Sequence, residues 1–305
     1  MAEKTVMKKT LARVVVVGSL NIDHALRVPR VPAPGETLTA RSMFSCLGGK
    51  GANQAIAAAR AGAKVAIIGR VGEDESGTCY LEALENEGID TRGIERSSTP
   101  TGVAFIVVDD AGENSIIVNP GANHEVTKAQ VERHAGLIRE AEALLLQLEC
   151  PLPVVRLAAE IARAARVRVI LNPSPLTEAF LANPFEVDVL IVNEGEARKL
   201  APNRSLQEAK CRQLVITRGA KSTLHITEDG LGEYVPPKVS PVDTVGAGDA
   251  FAGAFAVASS EGQPNAVAFA NAAGALATQK AGAQPSIPWR EAILALKGPD
   301  ELRTF

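Results

Sequence analysis

The chain has no motif-spaced cysteines, no H-x-x-x-H histidine pair, no long apolar run and no marked excess of either charge. Each absence removes a class of function. Cys46, Cys79, Cys150 and Cys211 are widely scattered, without the paired spacing of a zinc site or a redox dithiol. Reduced structural thiols in a cytoplasmic protein are the expectation. The four histidines offer no helical pair for metal hydrolysis. Val14–Val17 is far too short for a membrane span and leads into a polar loop, so it reads as neither anchor nor signal sequence. A net charge of −3 and the lack of a long basic cluster argue against nucleic acid or an acidic membrane surface as partner. The one basic run, from Lys4 to Arg13, is short and interrupted and reads as a disordered tail. There is no internal repeat or low-complexity segment. At 305 residues the chain can bury one large α/β core, although length alone allows one to three domains.

What is present is a rhythm. Val14–Val17, Lys64–Gly69, Ala143–Leu148, Val167–Leu171, Val187–Val192 and Leu214–Thr217 are nearly continuous apolar runs of strand length. Parallel strands covered on both faces have that character. Ala52–Ala61, Glu75–Glu87, Thr127–Ile138, Pro153–Ala165 and Asn265–Lys280 read as helices, with Gly62 and Gly88 placed as C-terminal caps. The series predicts an α/β fold with a central, mostly parallel sheet flanked by helices. Two segments break the rhythm. Residues 25–44 carry three prolines, and residues 101–119 read as a hairpin turning at Asp110-Ala111-Gly112. Together they predict a small antiparallel sheet beside the main domain.

Chemistry concentrates at Asp243-Thr244-Val245-Gly246-Ala247-Gly248-Asp249, which runs into a small-residue apolar helix. Such a glycine turn aims backbone N–H groups at one point, at the positive end of a helix dipole, and so makes an anion site. An aspartate on its rim suggests a base that takes a proton from a hydroxyl while the turn holds a phosphoryl group. The plainer reading of Asp249 is a helix N-cap. Gly48-Gly49-Lys50-Gly51-Ala52-Asn53-Gln54 lacks the spacing of a P-loop, and no Ser or Thr follows its lysine to hold magnesium. It reads as a glycine turn that lets backbone approach a substrate, with Asn53 on the first helical turn pointing back at it. Asn21 and Asp23 follow the first strand at the carboxyl end of the sheet, where ligands bind in open α/β folds. An amide and a carboxylate there suit a polyol, although an Asx turn has the same composition. Asn193 and Glu196 suit a water-coated magnesium at a helix start and equally suit a capping box.

In this order the motifs, with Pro34-Gly35-Glu36-Thr37, Asn193-Glu194-Gly195-Glu196 and Gly282-Ala283-Gln284-Pro285-Ser286, resemble the ribokinase-like carbohydrate kinase family from about Val14 to Ile293. The resemblance implies ATP-dependent phosphorylation of D-ribose at the 5-hydroxyl. 2-Deoxyribose or another small sugar is the alternative within that class, and a non-catalytic sugar-binding regulator the alternative outside it. It implies Asp249 as base; Asn21, Asp23, Gly49, Lys50, Asn53 and Glu149 around the sugar; and the amides of Gly246, Ala247 and Gly248 on the transferring group. Asn193, Thr217, Gly219, Ala220, Lys221 and Asn271 match nucleotide positions, and Glu196 a magnesium position. Asp243, Val245, Ala277, Lys280, Gly282 and Ser286 match a potassium site built largely of carbonyl oxygens. The family's organisation implies an α/β domain at residues 14–21, 48–98 and 122–305, and a lid at residues 22–47 and 99–121 that commonly serves as a homodimer contact. One departure stands out: residues 201–213 are shorter than the family's usual segment. This predicts a truncated outer helix, and a sheet face left exposed at the nucleotide end.

Overall fold

The protein is described from a computed structural model covering residues 11–296 and 302–304. Strands β1 (Arg13–Val17), β2 (Asn21–Arg27) and β3 (Ser42–Gly48) precede helix α1 (Lys50–Arg60). Next come β4 (Lys64–Gly72), α2 (Glu75–Asn86), β5 (Asp90–Ser97), and the hairpin β6 (Gly102–Val108) and β7 (Asn114–Asn119). A 3-10 turn (Gly121–Glu125), α3 (Lys128–Arg133) and α4 (Ala135–Arg139) lead to β8 (Ala143–Leu146) and α5 (Leu152–Ala164). Then follow β9 (Arg168–Leu171), α6 (Glu178–Ala182), β10 (Val187–Asn193), α7 (Glu194–Leu200), α8 (Leu206–Ala209), β11 (Cys211–Arg218), β12 (Lys221–Thr227) and β13 (Gly230–Tyr234). Helices α9 (Ala247–Ser260), α10 (Ala266–Ala277), α11 (Ala283–Ser286) and α12 (Arg290–Leu296), and strand β14 (Leu302–Thr304), complete the order.

The large sheet runs β14-β13-β12-β11-β10-β9-β8-β1-β4-β5, parallel from β11 to β5 and antiparallel beyond β11. Side chains alternate across it: Val14 and Val16 join one core with α1, α9 and α10, while Val15 and Val17 join the other with α5. Strand β1 pairs with β4 on one side and β8 on the other. The chain therefore reverses its direction of growth at β1, and the crevice at its carboxyl end is where such folds bind ligands. Helix α9 lies close on α1, because a Cβ on Gly253 would stand 2.5 Å from the Ala57 side chain. That approach brings the N-terminus of α9 over the first turns of α1.

The expected helices and strands form, with Gly62 and Gly88 at positive φ just past their helices. Several boundaries differ. The helix expected at Thr127–Ile138 is two, α3 and α4, broken at His134, with the poor helix former Gly136 just beyond. The helix expected to reach Lys280 stops at Ala277, because the Thr278 carbonyl turns to accept N–H groups from Val242 and Asp243. Strands β5, β12 and β13 carry charged residues or glycines in place of a continuous apolar run, which hid them from the hydrophobic pattern. The small sheet has the order β3-β2-β6-β7; its outer pairs are antiparallel and its central pair, β2 with β6, is parallel. Residues 4–10 of the expected N-terminal tail lie outside the described residues, and Arg13 opens β1.

The predicted exposure beside residues 201–213 does not occur on β11. Helix α8 is a single turn, as expected, but its Ala209 is buried and its Leu206 packs on the same core. Leu214, Ile216 and Leu224 beneath it are fully or almost fully buried. One turn suffices because it is capped by Ser205 and packed against β11, so tertiary contacts replace helix length.

Candidate active site

The site assembles at the carboxyl ends of β1 and β8, where the N-termini of α1 and α9 converge. Ser19, just past β1, donates its hydroxyl to Glu149, just past β8, and the Lys50 N–H donates to the same carboxylate oxygen at 3.0 Å. Three segments thus close on Glu149. The glycines of the loop before α1 also have a packing task. A Cβ on Gly48 would overlap the Asp23 carboxylate at 2.0 Å, and one on Gly49 would stand 2.7 Å from the Asn21 nitrogen. They admit the backbone and side chains of β2 close against the loop.

Asp23 is 8% exposed, and its carboxylate accepts no hydrogen bond from the described residues. Burial, then the negative charges of Glu149 and Asp249, push its pKa up to about 7, against a smaller opposing pull from Lys50. Burial alone would lower the Lys50 ammonium, but Asp249, Glu149, Glu196 and Asp23 outweigh it and hold its pKa above the ordinary value. Lys50 is therefore the shared counter-ion of four carboxylates, which gives a purpose to a residue whose role the motif left open. Asn21 is buried, and its Oδ1 accepts from Asn123 Nδ2 at 2.8 Å. Asn123 also exchanges hydrogen bonds with the Leu20 backbone. Sequence reasoning missed it: an asparagine in a 3-10 turn carries no motif.

Asp249 does not cap its helix. Gly246, in the left-handed region at φ 78°, is the N-cap, and no side chain caps α9. A Cβ there would also stand 2.9 Å from Ala283 Cα, so glycine is required twice over. Asp249 sits in the first turn, 6% exposed, and accepts from Asn53 Nδ2 at 2.9 Å and Gln54 Nε2 at 3.0 Å. Asn53 Oδ1 is buried without a partner among the described residues. Of the three amides expected at the anion turn, Ala247 N–H already donates to Thr244 O at 3.3 Å. Gly248 borders open space, and its N–H and that of Asp249 are first-turn donors with no intrahelical acceptor.

The Asp243 carboxylate accepts from Val245 N–H at 3.0 Å and Gly282 N–H at 2.9 Å, which pins the loop before α11 to the anion turn. Ser286 is buried and donates to Ala283 O at 2.7 Å. A cavity of about 330 Å³ lies between these loops and the small sheet, lined among others by Asp23, Cys46, Ile106, Asp243, Val245 and Gly282. Lys280 is exposed and Ala277 is buried at the end of α10.

At the other end, Asn193 and Glu196 form the capping box in full: Asn193 Oδ1 accepts from Glu196 N–H and Glu196 Oε2 from Asn193 N–H. Thr217 donates to Val192 O, and Gly219-Ala220 is the two-residue turn joining β11 to β12, with Lys221 opening β12. That turn closes an antiparallel hairpin. Asn271 is buried, donates to Tyr234 O at 3.1 Å and accepts from Thr223 Oγ1 at 2.7 Å. Its amide is committed to tying α10 to β12 and β13.

Comparison with known proteins agrees with this geometry. Residues 11–290 match the profile described as pfkB family carbohydrate kinase. Ribokinase of Haemophilus influenzae is 40% identical, with 94% of this chain and 98% of the relative covered. Ribokinase of Bacillus subtilis is 36% identical, with 93% and 98% covered. The solved structure of Arabidopsis thaliana ribokinase complexed with ribose and ATP has 31% identity and a TM-score of 0.83, with 94% of this chain and 99% of that chain covered. With the profile spanning most of its length and these relatives matched nearly end to end, the chain belongs to the pfkB family of carbohydrate kinases.

Proposed function

We propose that the protein transfers the γ-phosphoryl group of ATP to the 5-hydroxyl of D-ribose. The observation that carries this reading is Asp249. Its buried carboxylate lies in the first turn of α9 beside open backbone donors, between two amides of α1 and within the field of Lys50. The acceptor's 5-hydroxyl gives its proton to Asp249; its oxygen forms the new bond to γ-phosphorus as the bond to the β,γ-bridging oxygen breaks, and ADP leaves. The Gly248 and Asp249 amides meet the charge on the transferring group, with Gly246 and Ala247 shaping the turn. Asn21, Asp23, Gly49, Lys50, Asn53 and Glu149 hold the sugar, and the unpartnered Asn53 Oδ1 is an acceptor for one of its hydroxyls. The nucleotide lies along Asn193, Thr217, Gly219, Ala220 and Lys221, with Asn271 supporting it through the sheet.

Magnesium fits beside Glu196, since such an ion keeps most of its water and needs one or two protein carboxylates plus phosphates. Its contribution is to neutralise charge on the ATP phosphates. Potassium fits Asp243 and Ser286 with the carbonyls of Val245, Ala277, Lys280 and Gly282. These are oxygen donors only, and no cluster of three or more metal-ligating side chains is found among the described residues. The α/β domain at 14–21, 48–98 and 122–305 carries the chemistry, and residues 22–47 and 99–121 are its lid. The lid's outer face, with Met43, Phe105 and Ile117 exposed, suits a homodimer contact. A cytoplasmic location is consistent with four free cysteines and, among the described residues, no helix long and apolar enough to cross a membrane. The test is a coupled ADP-release assay with ATP and a panel of pentoses and hexoses, including 2-deoxyribose. Ribose should give the highest kcat/KM; no ADP release with any sugar, or a clear preference for another, overturns the reading.

A further inference from the structure

Gln54 stands next to Asn53 on α1 and is fully buried, yet nothing above needs it for binding sugar or nucleotide. Its amide lies at the centre of a relay. Nε2 donates to Asp249 Oδ1 at 3.0 Å and to Asn172 Oδ1 at 3.2 Å, while its Oε1 accepts from Gln147 Nε2 at 2.6 Å. Asn172 Nδ2 in turn donates to the Ile191 carbonyl at 2.9 Å. The direction of the whole chain follows from that last bond. A backbone carbonyl only accepts, so Asn172 must turn its NH₂ to Ile191 and its oxygen to Gln54. Gln54 must then present its NH₂, whose two hydrogens go to Asn172 and Asp249. Its oxygen is left for Gln147. A flipped Gln54 would set oxygen against both the Asn172 oxygen and the Asp249 carboxylate.

We propose that Gln54 is the positioning residue of the phosphoryl-transfer step: held in one orientation by Asn172, it fixes the Asp249 carboxylate in the rotation at which it receives the hydroxyl proton. The inference rests on the reading of Asp249 as base. Asn53 holds the other oxygen, so two donors one residue apart on α1 pin both oxygens of the group. The α1–α9 contact at Gly253 is what makes that reach possible. Gln54 acts through Asp249 and not on the sugar, so losing it should slow the chemical step without weakening sugar binding.

The experiment measures kcat and KM for ribose in Gln54→Met, which keeps length and bulk but donates nothing, in Asn172→Leu, in Asp249→Asn, and in the Gln54→Met/Asp249→Asn double variant. A hydrogen bond to a charged group sets the scale: kcat should fall roughly 10- to 100-fold in Gln54→Met. Asn172→Leu, which only frees Gln54 to flip, should lose less. KM for ribose should stay within about threefold of the parent in both. In the double variant Gln54→Met should add nothing to the loss from Asp249→Asn, since the base that it positions is gone. Losses that multiply, or a raised KM at unchanged kcat, overturn the inference while leaving Asp249 as base. Retained turnover in Asp249→Asn overturns the base reading and this inference with it. If Gln54→Met does not fold, Asn172→Leu, at a half-buried strand end, carries the same kcat-against-KM test, and its parental kcat would overturn the proposal.

Discussion

Replacing Asp23 by Asn should make the protein more stable at pH 8 and poorer at holding its sugar. In the unfolded chain Asp23 ionises near the model-compound value of 3.8; in the fold its pKa stands at about 7 because burial, Glu149 and Asp249 all oppose its charge. Below about pH 4 the carboxyl is neutral in both states and costs nothing. Between pH 4 and 7 the folded protein retains a proton that the unfolded chain releases, so stability falls as pH rises. Above 7 the full penalty is present, about 4 kcal/mol from the separation of the two values. Asn has the same shape and no charge, and it removes that penalty. For a chain of 305 residues the unfolding entropy near the midpoint makes 4 kcal/mol equivalent to about 6 °C in Tm. Thermal unfolding of parent and Asp23→Asn without sugar, at pH 4.5 and 8, reads the effect directly. The variant should gain at pH 8 and gain little at pH 4.5. Ribose should raise its Tm at pH 8 much less than it raises the parent's, since a carboxylate acceptor has been lost. An equal Tm difference at the two pH values, or a variant less stable at pH 8, would refute a raised Asp23 pKa as the source.

Asp249→Asn should retain the fold and ribose binding while kcat falls by about 10²- to 10⁴-fold; turnover within about threefold of the parent removes the base role. Exchange of potassium for sodium should lower kcat more than it changes ribose affinity, and equal rates in the two salts would exclude the Asp243–Ser286 cation site. Gly246→Ala forces an L-residue into the left-handed region against Ala283, so it should lose roughly 1–2 kcal/mol of stability along with most turnover, read by melting and ADP release. Lengthening residues 201–213 with a longer amphipathic helix should leave Tm and the KM for ATP unchanged, because α8 already covers β11; a clear gain in either would show that cover to be incomplete.

The sequence by itself determined the layered α/β plan. Continuous valine- and leucine-rich runs at β1, β8 and β10 can only be strands buried on both faces, and that property is local. It likewise determined the hairpin of β6 and β7 and the glycine turn before Asp249, since turn chemistry acts over a few residues. Tertiary structure decided what lies far apart along the chain. Asn53 and Asp249 are separated by 196 residues, Gln54 and Asn172 by 118, and Asn123 reaches Asn21 across 102. No periodicity records such partners. The direction of the Gln54 amide depends on a carbonyl in β10, and the pKa of Asp23 on its burial and then on two carboxylates brought to it by β8 and α9. Helix α8 is the same lesson in reverse: a single turn, six residues with its caps, looks too short to cover a sheet until β11 is set beneath it. Propensity and pattern are properties of neighbours in sequence, whereas burial, electrostatic coupling and hydrogen-bond direction belong to neighbours in space.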